Sequence, residues 1–420
     1  MKNNNIFSLN EDCFLVKGAK RGAIYKLKTG DVYSIDEESV ELIERCESRE
    51  PLEHIFALKN HDFQHKAKSY IENLVKEGIG RFLKKDESVS KIKIEEPSPL
   101  EFIWLEITAR CNQRCVHCYL GNNPVVFEKN RMKQKDWTNV IKQAYELGCR
   151  RLQFIGGEPF LDYKNLFKLI LISKKIGHEF IEVFTNATLL NDDKINFLAS
   201  NQINIAVSVY GMNPKIHDQV TRTSNSFLKT IENIKKMTAK NIKTRVAIVG
   251  LSLNDNCISK TISLLSSIGI KNIKVDPIRP IGHGCSKDLI SVELFKKQRR
   301  LKPEFPKCTL EKFQRAIYGH NCFSKNLCIK SDGGVIPCVM EREVVLGNVF
   351  NSSIQEILSS KRNEEIRNLN KDSVETCKDC EYRYCCFDCR PKARKESDGN
   401  IYAKPSNCFY DPYLGVWKNS

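Results

Sequence analysis

The chain has 420 residues, 67 Lys and Arg against 51 Asp and Glu (a formal charge of +16), 41% hydrophobic and 28% charged residues, and 18 cysteines. This balance excludes a disordered chain, and the length excludes a small disulfide scaffold, leaving room for about two to four domains. No apolar run reaches the roughly 18 residues of a membrane span. The opening MKNNNIFSLNEDCF lacks the apolar core of a secretory signal, so a cytoplasmic setting with reduced thiols is expected.

Residues 12–35 alternate short apolar runs (CFLVKG, AIYKL, TGDVYSI) with turns at Gly18, Gly22 and Gly30, which predicts a three-stranded meander. Helical spacing of apolar residues follows over Asp36–Cys46, Pro51–Leu58 and Asp62–Glu77. Residues 1–90 thus read as a small α+β domain. Residues 91–99, the end of the polar stretch Lys84–Pro99, read as a linker. From residue 100 strands and helices alternate. The strands are expected at Phe102–Thr108, Arg151–Ile155, Phe180–Thr185, Ile203–Val209, Thr244–Val249 and Ile273–Asp276. Amphipathic helices fall between them, among them Trp137–Leu147, Leu166–Ile176, Phe227–Met237 and Ile258–Ile268. Six strands with intervening helices argue for an α/β unit over residues 100–300, a parallel sheet curling into a partial barrel. Its functional residues should lie just past the strand ends. Over residues 301–420 the periodicity fades and cysteines multiply, as in a region that folds around metal.

The charge is uneven. Residues 1–99 carry a net −1 and the rest +17. The excess is spread along helices, as at Lys164, Lys168, Lys174 and Lys175, with no basic run carrying interleaved aromatics. This fits a solvated basic surface better than a nucleic-acid footprint.

The cysteines are clustered. Cys13, Cys46, Cys149, Cys257 and Cys285 stand alone and are expected as small buried hydrophobes. Cys111, Cys115 and Cys118 form C-x3-C-x2-C directly after the first predicted strand of the α/β unit. Three thiolates on one loop can bind three irons of a cubic cluster and leave the fourth open, as a catalytic site requires. A zinc site would call for four ligands in paired spacings, and His117 sits at an awkward offset for a fourth.

This segment resembles the signature of the radical S-adenosylmethionine (SAM) enzymes. The resemblance implies that Cys111, Cys115 and Cys118 hold a 4Fe–4S cluster. Its open iron would chelate SAM, whose one-electron cleavage gives a 5′-deoxyadenosyl radical that abstracts hydrogen from substrate. The resemblance extends to Gly156-Gly157-Glu158-Pro159, similar to the family's SAM-contacting GGEP segment, where glycines admit a close ligand and a carboxylate suits an ammonium. Thr185-Asn186-Ala187 resembles a TNG segment with alanine for glycine. Ser208 and Arg222, in a stretch with His217-Asp218, match positions near the SAM ribose and carboxylate in relatives.

The C-terminal cysteines, Cys322, Cys338, Cys377, Cys380, Cys386, Cys389 and Cys408, resemble the SPASM domain, which binds two auxiliary 4Fe–4S clusters. By analogy Cys322, Cys338 and Cys389 hold the first, with Cys328, Cys308 or no residue as the fourth ligand. Cys377, Cys380, Cys386 and Cys408 hold the second. The adjacent Cys385 offers an alternative spacing, so the choice between Cys385 and Cys386 stays open. A zinc ribbon is the competing reading of the paired cysteines. Sulfatase-maturing relatives carry an aspartate directly after the Cys338 position, and here Val339-Met340-Glu341 follows.

Residues 1–90 resemble a winged-helix-like leader-peptide recognition domain, which binds an extended peptide at a sheet edge. Its charge of about neutral argues against a DNA-binding wing. The implied function is a maturase of a ribosomally made precursor peptide that forms a cross-link, a Cys thioether first and a C–C or C–O link second. An auxiliary cluster would accept the surplus electron. The implied partners are that peptide and an electron donor such as flavodoxin or ferredoxin. A formylglycine generator and a non-enzymatic zinc-bearing binder are the other readings.

Overall fold

The computed structural model describes residues 6–57, 61–84, 86–121, 131–320 and 323–418. Leu58, in the second predicted helix, and Cys322 lie outside the described residues. The chain forms two compact units. One comprises residues 1–97, 300–321 and 368–420, and the other residues 98–299 and 322–367.

In the first unit β1 (Ile6–Leu9) precedes an antiparallel meander of β2 (Cys13–Lys17), β3 (Gly22–Lys26) and β4 (Asp31–Ile35). Three helices follow: α1 (Glu37–Glu47), α2 (Leu52–Ala57) and α3 (His61–Lys76). β5 (Gly80–Leu83) then returns antiparallel to β1. Asp36 caps α1 by accepting the Ser39 N–H at 2.9 Å, which stops the meander and starts the helix. Val40, Leu42 and Ile43 of α1 and Ile71 and Leu74 of α3 close over Phe7 and Leu9 of β1. The meander and helices are where the sequence places them. β1 and β5 were not expected, because four residues carry too little alternation to register as strands. The stretch read as a linker is laid down on this unit: Lys91 Nζ donates to the carbonyls of Leu9, Asn10 and Cys13, and Ile92 N to Glu11 O.

The remainder of this unit adds the helix Leu310–Tyr318 and a largely irregular C-terminal segment. They share an aromatic core of Tyr25, Phe313, Tyr382, Tyr384 and Tyr410. Tyr25 donates its hydroxyl to Glu381 O at 2.8 Å.

The second unit is built on six parallel strands in sequence order: β6 (Phe102–Thr108), β7 (Arg151–Gly156), β8 (Phe180–Thr185), β9 (Asn204–Ser208), β10 (Thr244–Gly250) and β11 (Asn272–Pro277). Helices α4 (Gln134–Glu146), α5 (Tyr163–Ile176), α6 (Asp192–Ser200), α7 (Pro214–Thr221), α8 (Ser226–Ala239) and α9 (Ile258–Ser267) fill the crossovers. Trp137 and Val140 of α4, Leu169 and Ile170 of α5 and Ile234 of α8 bury their stripes against the strands. β12 (Asn326–Ile329) pairs in parallel with β6, and β13 (Gly334–Ile336) and β14 (Gly347–Asn348) extend the sheet antiparallel. The sheet is open, running from β11 at one edge to β14 at the other, with no pairing between them among the described residues. The α/β class and the six-strand parallel series are as expected. One boundary differs: residues 322–367 belong with the parallel sheet, because β12 adds directly to β6. Among the described residues no helix is long and apolar enough to cross a membrane.

Candidate active site and cysteine clusters

β6 delivers the chain into the loop carrying Cys111, Cys115 and Cys118, all partly exposed. The loop is tied by its backbone. Arg114 N and Val116 N donate to the C-terminal carbonyls of α7, Thr221 O at 3.1 Å and Val220 O at 2.9 Å. His283 N donates to Cys118 O at 3.0 Å. Burial pushes the Cys111 thiol up to about 11 and also raises Cys115, on which Cys111 and Cys118 press next. Three thiolates this close and this desolvated require a cationic partner.

The two glycines after β7 are fixed by the same loop. Gly157 N donates to Thr108 O at 2.7 Å and Glu158 N to Arg110 O at 2.8 Å. A Cβ on Gly157 would lie 1.9 Å from Arg110 O, and one on Gly156, at φ +131°, 2.2 Å from Thr108 O. Only glycine lets the ends of β6 and β7 lie this close.

Glu158 is fully buried. Its Oε1 accepts from Phe160 N (3.1 Å) and Thr185 Oγ1 (2.7 Å), and its Oε2 from Asn186 N (2.8 Å). Both oxygens therefore already bind the protein, fastening the end of β8 to that of β7. Pro159 is buried at the start of the following turn, Pro159–Asp162. Asn186 in turn donates to Asn112 Oδ1 at 2.8 Å and points Nδ2 at Cys111 Sγ, 3.9 Å away. Ala187 holds φ +62°, a left-handed conformation that glycine adopts at lower cost than alanine.

Ser208 ends β9, and Tyr210, two residues on, is buried with its ring edge-on to that of His117 at 4.8 Å. His217 accepts the Tyr210 N–H on Nδ1 at 3.2 Å, and Asp218 accepts from Asn225 N, Ser226 Oγ and Phe227 N at the start of α8. These two residues therefore hold the loop and the helix start. Arg222 is exposed, terminates α7 at φ +49°, and lines a cavity of about 910 Å³ with Val116, Gln219, His283 and Asp288.

A second group in this unit escaped sequence reasoning. Glu106, buried on β6, pairs with Arg342 at 2.6 Å; the guanidinium lies 5.7 Å over the Tyr119 ring, and Tyr119 donates to Gly156 O at 3.3 Å. Cys328 on β12 is fully buried and raised by burial, then by Glu106, with Cys338 also contributing. Cys328 and Cys338 are thus neighbours. Glu341 is buried as well.

The first unit gathers the other cysteines. Cys377 is raised to about 11 by burial, and Cys386 and Cys408 are close enough to add to the effect. Cys380 is raised by burial and then by neighbours that include Cys386 and Cys377. Cys389 precedes the helical turn Arg390–Lys395. Cys385 is different. It is fully buried in the aromatic core, its thiol donates to Tyr382 O at 3.3 Å, and Tyr25 donates to it at 3.6 Å. Cys308 lies in the same core and donates to Tyr384 O at 3.4 Å. Of the solitary cysteines, Cys13, Cys46, Cys149 and Cys257 are buried as expected, whereas Cys285, at the end of the turn Gly282–Cys285, is exposed.

Comparison with known proteins agrees with this layout. Residues 105–265 match the radical SAM superfamily model, and residues 322–381 match SPASM, an iron–sulfur cluster-binding domain. A GTP 3′,8-cyclase of Clostridium botulinum is 30% identical over 292 residues, 64% of this chain and 90% of that one. The chain belongs to the radical SAM superfamily. The antilisterial bacteriocin subtilosin biosynthesis protein AlbA of Bacillus subtilis is 26% identical over 63% of this chain and 61% of its own length, so the match spans under two thirds of that relative. Streptococcus suis SuiB, solved with its precursor peptide SuiA, shares the fold at a TM-score of 0.61 over 96% of this chain and 100% of that one, at 15% identity.

Radical SAM and SPASM domains bring SAM and 4Fe–4S clusters with them. The residues fit. A cubic cluster spreads its thiolates over separate irons, so ligands must flank a space rather than meet at a point. Cys111, Cys115 and Cys118 lie on one loop and act on one another, and in the other unit Cys386 and Cys408 lie near Cys377, and Cys377 and Cys386 near Cys380.

Proposed function

We propose that this radical SAM protein matures a ribosomally made precursor peptide by forming an intramolecular cross-link, with a Cys thioether as the favoured product. The observation that carries the reading is the combination of a three-cysteine loop at the end of β6 with a second, cysteine-rich field in the C-terminal part of the chain. Three relatives point the same way: AlbA and the sporulation killing factor maturation protein SkfB by name, and SuiB by its complex with SuiA.

In this reading Cys111, Cys115 and Cys118 hold the SAM-binding cluster. Gly156, Gly157, Glu158, Pro159, Ser208 and Arg222 shape the SAM site, Glu158 by setting Asn186 against the cysteine loop. Cys322, Cys338 and Cys389, with Cys328, Cys308 or no residue as the fourth ligand, serve the first auxiliary cluster, and Cys377, Cys380, Cys386 and Cys408 the second. When bound, SAM and its cluster supply a radical that removes one hydrogen atom. The chain's own residues hold the loop, exclude water from it and position the peptide. Residues 1–90 bind the leader through the β2–β3–β4 sheet.

The test is anaerobic incubation of reconstituted protein with SAM, dithionite and a candidate Cys-containing precursor peptide. Formation of 5′-deoxyadenosine and loss of two hydrogens per link are expected. Loss of sulfur, or a carbonyl that reacts with a hydrazide, would instead mark a formylglycine generator. Zinc in place of about twelve irons, with no deoxyadenosine, would overturn the enzymatic reading.

A further inference from the structure

The Cys386 thiol faces cations. Arg300 Nη1 lies 2.6 Å from Cys386 Sγ, and its Nη2 donates to Phe387 O at 3.2 Å. The backbone of Arg300 is clamped on either side of Cys408, with Arg300 N donating to Asn407 O (2.8 Å) and Phe409 N to Arg300 O (3.2 Å). Its guanidinium also lies 5.3 Å over the Phe305 ring. Three independent contacts thus aim one guanidinium at one sulfur. Behind it, Asp388 is enclosed by Lys371, Arg390 and His320, with side-chain exposures of 5%, 4%, 0% and 3%. Asp388 sits between Cys386 and Cys389 in the chain, and Lys371 is near enough to act on Cys377.

The charges can be counted. Arg300, Lys371 and Arg390 against Asp388 leave a net of two positive charges about Cys377 and Cys386, and Glu381, next to Cys380, offsets at most one of them. An oxidised 4Fe–4S core on four thiolates carries two negative charges, and reduction adds a third. Surrounding cations and N–H donors to sulfur favour the more negative, reduced state. Cys385 is placed differently. Its thiol donates to Tyr382 O and accepts from Tyr25 in the aromatic core, no guanidinium nitrogen bonds it, and Arg300 acts on it only as the least of the effects that oppose its burial.

We propose that Arg300 selects Cys386 over Cys385 as a ligand of the second auxiliary cluster and raises that cluster's reduction potential, making it the acceptor of the electron released on cross-linking. The inference rests on the maturase reading. Closing one C–S bond breaks a C–H and an S–H bond: one hydrogen atom leaves with deoxyadenosine, the thiol hydrogen leaves as a proton, and one electron passes to the cluster.

The experiment uses full-length protein in which Cys111, Cys115 and Cys118 are alanine, so that only auxiliary clusters load. Iron content and midpoint potential, by anaerobic redox titration with EPR detection, are compared for Arg300, Arg300→Gln, Arg300→Lys and Cys385→Ala. Arg300→Gln is expected to move one midpoint to more negative potential and to change its EPR signal. Arg300→Lys should recover most of the shift, and Cys385→Ala should leave iron and potential unchanged. Loss of iron in Arg300→Gln with retention in Arg300→Lys would also support the charge role. Full iron with an unmoved midpoint in Arg300→Gln would overturn it. So would equal loss of iron in both Arg300 variants, or loss in Cys385→Ala. A parent protein that binds zinc and no iron would instead bring down the maturase reading itself.

Discussion

His217 offers a test of how the active-site loop is held. Its side chain is 1% exposed, and its Nδ1 accepts the Tyr210 N–H at 3.2 Å, so the ring must be unprotonated there. Burial lowers its pKa from 6.5 to about 4, with Asp218 opposing. The unfolded chain takes up the proton near pH 6.5 and the folded chain only near 4. Stability from this group is therefore complete above about pH 6.5 and is lost as the pH falls toward 4. Between pH 7.5 and 5.5 the loss works out at about 1.3 kcal/mol. His217→Asn keeps an acceptor where Nδ1 stood and removes the titration. The assay is urea unfolding followed by tryptophan fluorescence, since Trp104 and the fully buried Trp137 report on this unit. The parent protein should lose roughly half a molar more in urea midpoint than the variant over that pH interval, taking a slope near the upper end for single domains. His117, lowered to about 4 by burial, titrates in both proteins and cancels in the difference. Equal pH dependence in the two proteins would refute the assignment, whatever their absolute stabilities.

Three further outcomes are expected. Gly157→Ala would drive a methyl into the Arg110 backbone, so iron should fall by about a third, one cluster of three, with deoxyadenosine formation lost; iron analysis and product assay check this. Asp388→Asn strands the buried charges of Lys371 and Arg390 and should cost about 3–5 kcal/mol, read by denaturant unfolding, with a loss under about 1 kcal/mol counting against the network. Ala187→Gly removes left-handed strain of about 1–2 kcal/mol but also a buried methyl worth about 0.8 kcal/mol and some chain stiffness, so stability should change by less than about 1 kcal/mol and activity should persist.

The parallel sheet was legible because its helices carry apolar stripes at helical spacing and its strands are apolar runs bounded by turns. Arg151–Gly156 and Phe180–Thr185 can be found from such runs alone. What escaped was short or non-local. β1 and β5 become strands only by pairing with each other across more than 70 residues. β12 reads as part of a cysteine-rich tail and belongs with the sheet only because β6 presents a free edge to it. The cysteine loop and the glycine pair were visible from residue type and spacing. The Glu106–Arg342 pair was not, since a salt bridge between residues 236 positions apart leaves no pattern in either neighbourhood.

Residue type also misleads about role when a side chain's partners are distant in sequence. A carboxylate after two glycines at a strand end suggests a contact to an ammonium. Here Glu158 also accepts from Phe160, Thr185 and Asn186, so it holds in place an Asn186 whose amide faces Asn112 and Cys111. Cys385 and Cys386 pose the same problem in a sharper form. Two adjacent cysteines are chemically identical as letters, and either spacing leaves the motif one residue short. The difference lies in what each thiol faces: for Cys385 an aromatic core, where burial favours the neutral thiol, and for Cys386 the Arg300 guanidinium at 2.6 Å. The ligand is therefore chosen by Arg300, a residue 86 positions away, and no count of the intervals between cysteines could have made that choice.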